Sequence, residues 1–460
     1  MRRENALHRG LIALTLAFGM ASVGNAQAFA DDFRESLYAG DTAAALARAR
    51  TEIEAQPQNG TARFAIGAAS FLGAIEGLTQ GLYRHGISNG EGSQLLAMGE
   101  MPFLRLPIAA NPSPEPVTYQ ALRGILIDFG DRLAEAEAAL TSVEDRPVAL
   151  ELDLARIKLD TDGQHGAVPA ADLLRLFSAV SGVRTGTAAL VVDFDSADAV
   201  WLQAYFHVLM TMSDVLLAHD WEAAYLATME GMFPDSFTPR TALNDLTRDG
   251  WGRMIDLQMN TPPQPNCDWD EGEDCEEQWD TYHAHPAMQE MRALERAMQF
   301  RSIADLAAFV HLTRWPVVQP ERMASALAHM EAMVALSREN WRRILAETDQ
   351  GREWIQSPSQ TGALPNMEID QPRVDGWLGF LDQLDAVLSG ELLLPHWRFA
   401  QGFNLRRMFL EPEPFDLVLL VQGTAMIPFL EDGPVARGDT WRRTTEVFSG
   451  QFFRYFVWIN

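Results

Sequence analysis

The chain has 460 residues, 47% of them hydrophobic, and a formal net charge of −27. That charge excludes nucleic acid and an anionic membrane as natural partners, because phosphates collect Lys and Arg clusters and no long basic run occurs after the first residues. The apolar fraction is enough for a large core, divided among two or three domains unless the fold is a solenoid.

The chain opens with Arg2, Arg3 and Arg9, an uncharged apolar stretch from Leu11 to about Val23, and the small-residue run Ala26-Gln27-Ala28. This order predicts a signal peptide over residues 1–28, cleaved near Ala28, and a periplasmic or secreted mature protein. Its removal takes away three Arg and one Glu, so the mature chain is more acidic still. No mature segment reads as apolar and long enough to span a bilayer, the nearest being Phe415–Leu430, which Asp416, Gln422, Gly423 and Pro428 interrupt.

Apolar residues at three- and four-residue spacing predict helices over Thr42–Ala55, Val117–Leu140, Ala171–Val180, Ala197–Leu217, Met288–Phe300, Pro320–Thr348 and Arg373–Leu388. Only Ala189–Phe194 and Glu391–Leu394 suggest strands, and both also suit a buried helical turn. The fold class is therefore read as all-α, with helical hairpins at the N-terminus packed on a larger helical body. Proline-rich punctuation at Pro107–Pro116 and Thr261–Pro265 divides it. The divisions expected are a first helical region over 29–110, a central one over 117–260, an acidic loop over 261–286 and a C-terminal helical region over 287–460.

Gly40-Asp41, Ala45-Leu46, Pro57 and then Gln58-Asn59 with Ala62, Phe64, Ile66 and Gly67 carry a spacing of small residues, helix-ending proline and aromatic. Residues 37–75 thereby resemble the second helix of a tetratricopeptide unit and the first of the next, which implies a closely packed hairpin. Glu52 stands where that family has a small residue, and so short a match implies no long peptide groove.

Further on, Asp160, Asp162, Gln164, Gly166, Val168 and Asp172 resemble a degenerate EF-hand loop, with His165 as an inserted residue. The resemblance implies that Asp160, Asp162, Gln164 and Asp172 hold calcium between helices over Ala149–Leu159 and Ala170–Phe177.

Cys267 and Cys275 lie in the acidic stretch NCDWDEGEDCEEQWD, and an exported chain with two cysteines is expected to join them in a disulfide. The acidic side chains there, and His283 and His285 beyond, read as a solvated loop with some capacity for a cation. His207, Thr211, Asp214 and Ala218 share a helix face, with His219 at its end, a pattern compatible with acid–base chemistry but commoner for satisfied helix residues. Gly86-Ile87-Ser88-Asn89-Gly90 matches the GxSxG pattern without the strand that a nucleophile elbow needs before it. The C-terminal aromatics Phe448, Phe452, Tyr455 and Phe456 fall at helical spacing and read as core. No reaction is named by these residues; the expectation is a protein- or ligand-binding role in the cell envelope with a protein or peptide partner, the alternative a hydrolase or metal-dependent enzyme.

Overall fold

A computed structural model describes residues 28–87, 108–164, 166–170, 189–237, 257, 259–265, 273–364, 367–436, 446–448 and 452–459. Residues 1–27, and with them most of the expected signal peptide, lie outside these, as do Ser88, Asp172, the predicted helix Ala171–Val180 and Cys267.

The protein is all-α, its strands being two to four residues long in two-stranded sheets. Helix α1 (residues 28–39) buries Phe29, Phe33 and Leu37. Helix α2 (Thr42–Ala55) starts where Asp41 accepts the Ala44 amide, and α3 (Gly60–Arg84) where Asn59 accepts that of Ala62. Gly60 and Gly67 on α3 are packed so tightly that a Cβ would strike the Pro147 carbonyl and the Leu140 side chain, at 2.4 and 2.3 Å. Gly67 thus brings α3 against α4 (Tyr119–Thr141), and Gly60 against the segment that follows it. Unlike the first helix of a short repeat unit, α3 runs 25 residues without a break.

The helix expected over Ala149–Leu159 is absent. In its place are β1 (Leu150–Asp153) and β2 (Lys158–Asp160), because Leu150, Leu152 and Leu159 bury alternate side chains in pleated backbone. Strand β2 pairs with β3 (Ala167–Pro169) as an antiparallel hairpin, and β1 pairs with β4 (Val191–Phe194), so the Ala189–Phe194 segment is a strand.

Helix α5 (Ser196–Ala218) follows β4 directly and is the centre of the structure. It lies antiparallel to α6 (Pro320–Ile344), with Asp214 bonded to Arg322 near one end and the Ser196 carbonyl to Arg343 near the other. Among the described residues α5 is the one helix long and apolar enough to cross a membrane; half of that stretch is buried inside the protein, and it carries Asp198 and Asp214. The hydrophobic core extends from Phe29 through α5 and α6 to Trp377 on α7 (Gln371–Leu388) and to Trp458 and Ile459 on the last helix, α8 (Phe452–Ile459). Phe448 and Trp458 are fully buried, so the C-terminal aromatics are core. A second cluster, including Tyr83, Tyr119, Trp221 and Phe237, closes the other end of α3 and α4.

Candidate functional site

Three features converge on α5: a carboxyl cluster at its start, a histidine pair along one face and an apolar cavity along another.

The cluster begins with the helix cap. Asp195 accepts the amides of Ala197 at 2.7 Å and Asp198 at 3.3 Å, and Asp198 accepts the Asp195 amide at 2.9 Å. The helix dipole favours negative charge there. Glu347, just past α6, and Glu353 arrive beside this cap, and one oxygen of each of Asp195, Glu347 and Glu353 lies within 4.8 Å of the others. The Gln360 amide reaches Glu347 at 3.1 Å and Glu353 at 3.4 Å. No ion pair reaches Asp195, Asp198, Glu347 or Glu353 among the described residues.

Burial, and then the neighbouring Asp195 charge, pushes Glu347 up to about 8 and Glu353 up to about 7. Asp198 is raised for the same two reasons. At neutral pH the cluster therefore stores protons. Chemically such a group can exchange protons, or offer oxygens to a hard cation.

About three turns further along, His207 faces His329 of α6, with their Nδ1 atoms 2.8 Å apart. On the far side of each ring stands a carboxylate: Glu137 of α4 lies 3.9 Å from His207 Nε2, and Asp214 lies 3.7 Å from His329 Nε2. Asp214 also accepts a hydrogen bond from Arg322 at 2.7 Å. Burial, and then the adjacent His329, holds His207 down at about 4. His329 is lowered by burial too, with Asp214 and Glu137 working against it.

The third feature is a cavity of about 260 Å³ between α3, α5, the β1–β4 pair and the β2–β3 hairpin. Phe64, Phe71, Phe194, Trp201, Tyr205 and Trp354 form its aromatic wall, and the rest is aliphatic. These rings hold one another: Trp201 stacks on Tyr205 with centroids 5.6 Å apart, and Trp354 meets Trp201 edge-on at 5.5 Å. The Trp201 indole donates to the Trp458 carbonyl at 2.8 Å, which ties the wall to the C-terminal helix.

The residues singled out from sequence divide between these features and the rest of the surface. His207 and Asp214 do come together, through His329. His219 does not: it ends α5, its ring bonded to the Val215 carbonyl, while Arg123 donates to the carbonyls of Leu217 and His219. Asp160 and Asp162 lie in the turn of the β2–β3 hairpin, where Asp160 accepts the Gly163 amide and Asp162 that of Gln164, both at 2.8 Å. Gln164 reaches the Tyr83 hydroxyl at 3.3 Å. Cys275 is buried, and Cys267, its expected partner, is outside the described residues. His285 caps a helix by accepting the Ala287 amide at 3.3 Å.

His329, Glu347 and Glu353 were not found from sequence. They lie more than a hundred residues from their partners on α5; the antiparallel register of α5 and α6 brings His329 and Glu347 into place, and the short strand Arg352–Glu353 brings Glu353. The one available signal was a His on the apolar face of α6. The chain matches no protein-family model, no curated protein and no solved structure.

Proposed function

We propose that the protein binds an apolar small molecule in the cavity between α3 and α5. The observation that carries this is the lining: among the described residues Tyr205 is the sole titratable side chain on a wall otherwise made of aliphatic and aromatic groups, with neither nucleophile nor carboxylate. Such a wall suits binding rather than catalysis. A dry apolar cavity of about 150 Å³ accepts benzene, so one of about 260 Å³ suits an occupant of two fused rings or a short alkyl chain.

Titration with naphthalene tests this, read through the fluorescence of Trp201 and Trp354 and through the melting temperature. Saturable quenching and stabilisation are expected, both lost in Ala68→Phe, which fills the cavity from α3. No saturable binding, or binding that Ala68→Phe leaves intact, overturns the reading.

The envelope setting, the signal peptide over 1–28 and the Cys267–Cys275 disulfide belong to the same proposal, supported by the Arg–apolar–small order and the cysteine count of the sequence. So does a calcium ion on Asp160, Asp162, Gln164 and Asp172, where an ion would share the carboxylates with the turn amides that they already accept. A protein or peptide partner has its support in an exposed apolar surface: Val418 and Val421 are 51% and 73% exposed on the helix Leu417–Gln422, and Trp397 beside it is 73% exposed.

A further inference from the structure

The facing histidines pose an accounting problem that points to a ligand. A neutral imidazole carries one N–H and one lone pair. If His207 and His329 share an ordinary Nδ1–H···Nδ1 hydrogen bond across their 2.8 Å, the donating ring must turn a bare Nε2 lone pair toward a carboxylate, Glu137 or Asp214. If instead both Nε2 atoms carry the proton, as both carboxylates favour, two Nδ1 lone pairs confront each other. Neither neutral arrangement satisfies all four groups. A positive charge between the Nδ1 atoms satisfies them all.

We propose that His207 Nδ1 and His329 Nδ1 bind a divalent transition metal ion, with water completing its shell. Imidazole is a common ligand of such ions, and the outer carboxylates stand 3.9 and 3.7 Å behind the ring nitrogens turned away from the metal, on the side from which orienting groups accept once within hydrogen-bond distance. Water can reach the pair, since the His207 and His329 side chains are 13% and 23% exposed. The separation discriminates among metals. With metal–nitrogen bonds of about 2.05 Å, ligands at right angles stand about 2.9 Å apart and tetrahedral ones about 3.3 Å. The observed 2.8 Å fits the right angle, and so Cu²⁺ or Ni²⁺ in a tetragonal or octahedral shell rather than tetrahedral Zn²⁺. Because α5 and α6 are locked by Asp214–Arg322 about two turns away, the two ligands are held before any metal arrives.

The test is titration of the mature chain with Cu²⁺ alone, by calorimetry and by electron paramagnetic resonance, whose nitrogen splitting counts bound imidazoles. The acidic stretch with His283 and His285 is the competing site, so His283→Gln/His285→Gln serves as the control. Expected are one ion per chain with two equivalent nitrogens, an affinity at least tenfold weaker in His207→Gln or His329→Gln, and an unchanged affinity in the control. Glu137→Gln keeps both ligands and the Asp214–Arg322 pair and should weaken binding by about 10–100-fold; it guards against a His variant that fails to fold, which circular dichroism detects. Loss of binding only in the His283→Gln/His285→Gln control overturns the proposal. So does a spectrum with one nitrogen or none. Absence of stoichiometric binding also overturns it and leaves a proton shared by the two rings.

Discussion

The start and the middle of α5 solve the same problem in opposite ways. At the start, Asp195, Asp198, Glu347 and Glu353 are gathered with no cation among their described neighbours, and the cost is met by protonation: Glu347 and Glu353 titrate near or above neutral pH. From the middle towards the far end, where His207 and Asp214 lie, Asp214 is as deeply placed, yet Arg322 supplies a charge at 2.7 Å and the histidines supply ring nitrogens. A buried carboxyl can be neutralised by a proton or by a partner, and which it receives decides how the region responds to pH and to mutation.

The largest effect should come from breaking the partnered region. Asp214→Ala strips Arg322, whose side chain is 29% exposed, of its counter-charge and leaves His329 facing a void. Removing one member of a largely buried charged hydrogen bond costs about 2–3 kcal/mol. Thermal unfolding should show it as a fall of several degrees, while the double variant Asp214→Leu/Arg322→Met should recover most of it. A double variant no better than Asp214→Ala would mean that the helix contact, and not the charge, carries the cost.

The unpartnered region predicts the reverse sign. Folded Glu347 and Glu353 hold protons up to about 8 and 7, whereas the unfolded chain releases them near the ordinary carboxylate range. The folded state thus binds more protons across that window, so stability falls as pH rises from about 4.5 to about 8. Glu347→Gln/Glu353→Gln should flatten this slope and raise the melting temperature at pH 8 by roughly a few degrees, with little change at pH 5. Equal melting curves for parent and variant at both pH values would show that the cluster is neutralised by something other than protons.

How much of this was legible depended on sequence distance. Helices α2, α5 and α7 announced themselves, because their apolar spacing and their caps Asp41, Asp195 and Asp370 are local signals. The segment around Leu150–Asp160 misled for a physical reason: Leu, Glu, Ala and Arg favour helix, but burial of Leu150, Leu152 and Leu159 in the core beside α3 outweighs that preference. Of the polar groups on α5, those four and seven residues on from His207, Thr211 and Asp214, could be placed on one face with it from sequence alone. His329, Glu347 and Glu353 could not, since their positions follow from how α6 lies on α5 and from the short strand Arg352–Glu353, and no local pattern encodes that register. The cavity was invisible for the same reason. Its wall is assembled from segments scattered between Leu37 and Trp354, each of which reads as ordinary core.

The smallest effect belongs to Arg352, and it sharpens the contrast because this residue adjoins Glu353 in sequence. On the short strand Arg352–Glu353 the two side chains take opposite sides: Glu353 turns in to the proton-bearing cluster, and Arg352 turns out to Glu151 at 2.6 Å and Asp193 at 3.0 Å. The Arg352 guanidinium holds Asp193 below the ordinary carboxylate range, against a smaller opposing effect of burial. That contribution to stability is present above the ordinary Asp value and is lost as pH falls through the lowered one, so acid should abolish it where it would strengthen the neighbouring cluster. The Arg352 and Asp193 side chains are 50% and 36% exposed, however, so water and salt screen the pair. Arg352→Ala should therefore shift the melting temperature by only about a degree at pH 7 and low salt, and by less at high salt or at pH 3. A shift as large as that of Asp214→Ala, insensitive to salt, would mean that Arg352 acts on the cluster through Glu353, and the division between a proton-neutralised start of α5 and a partnered middle would then fail at its boundary.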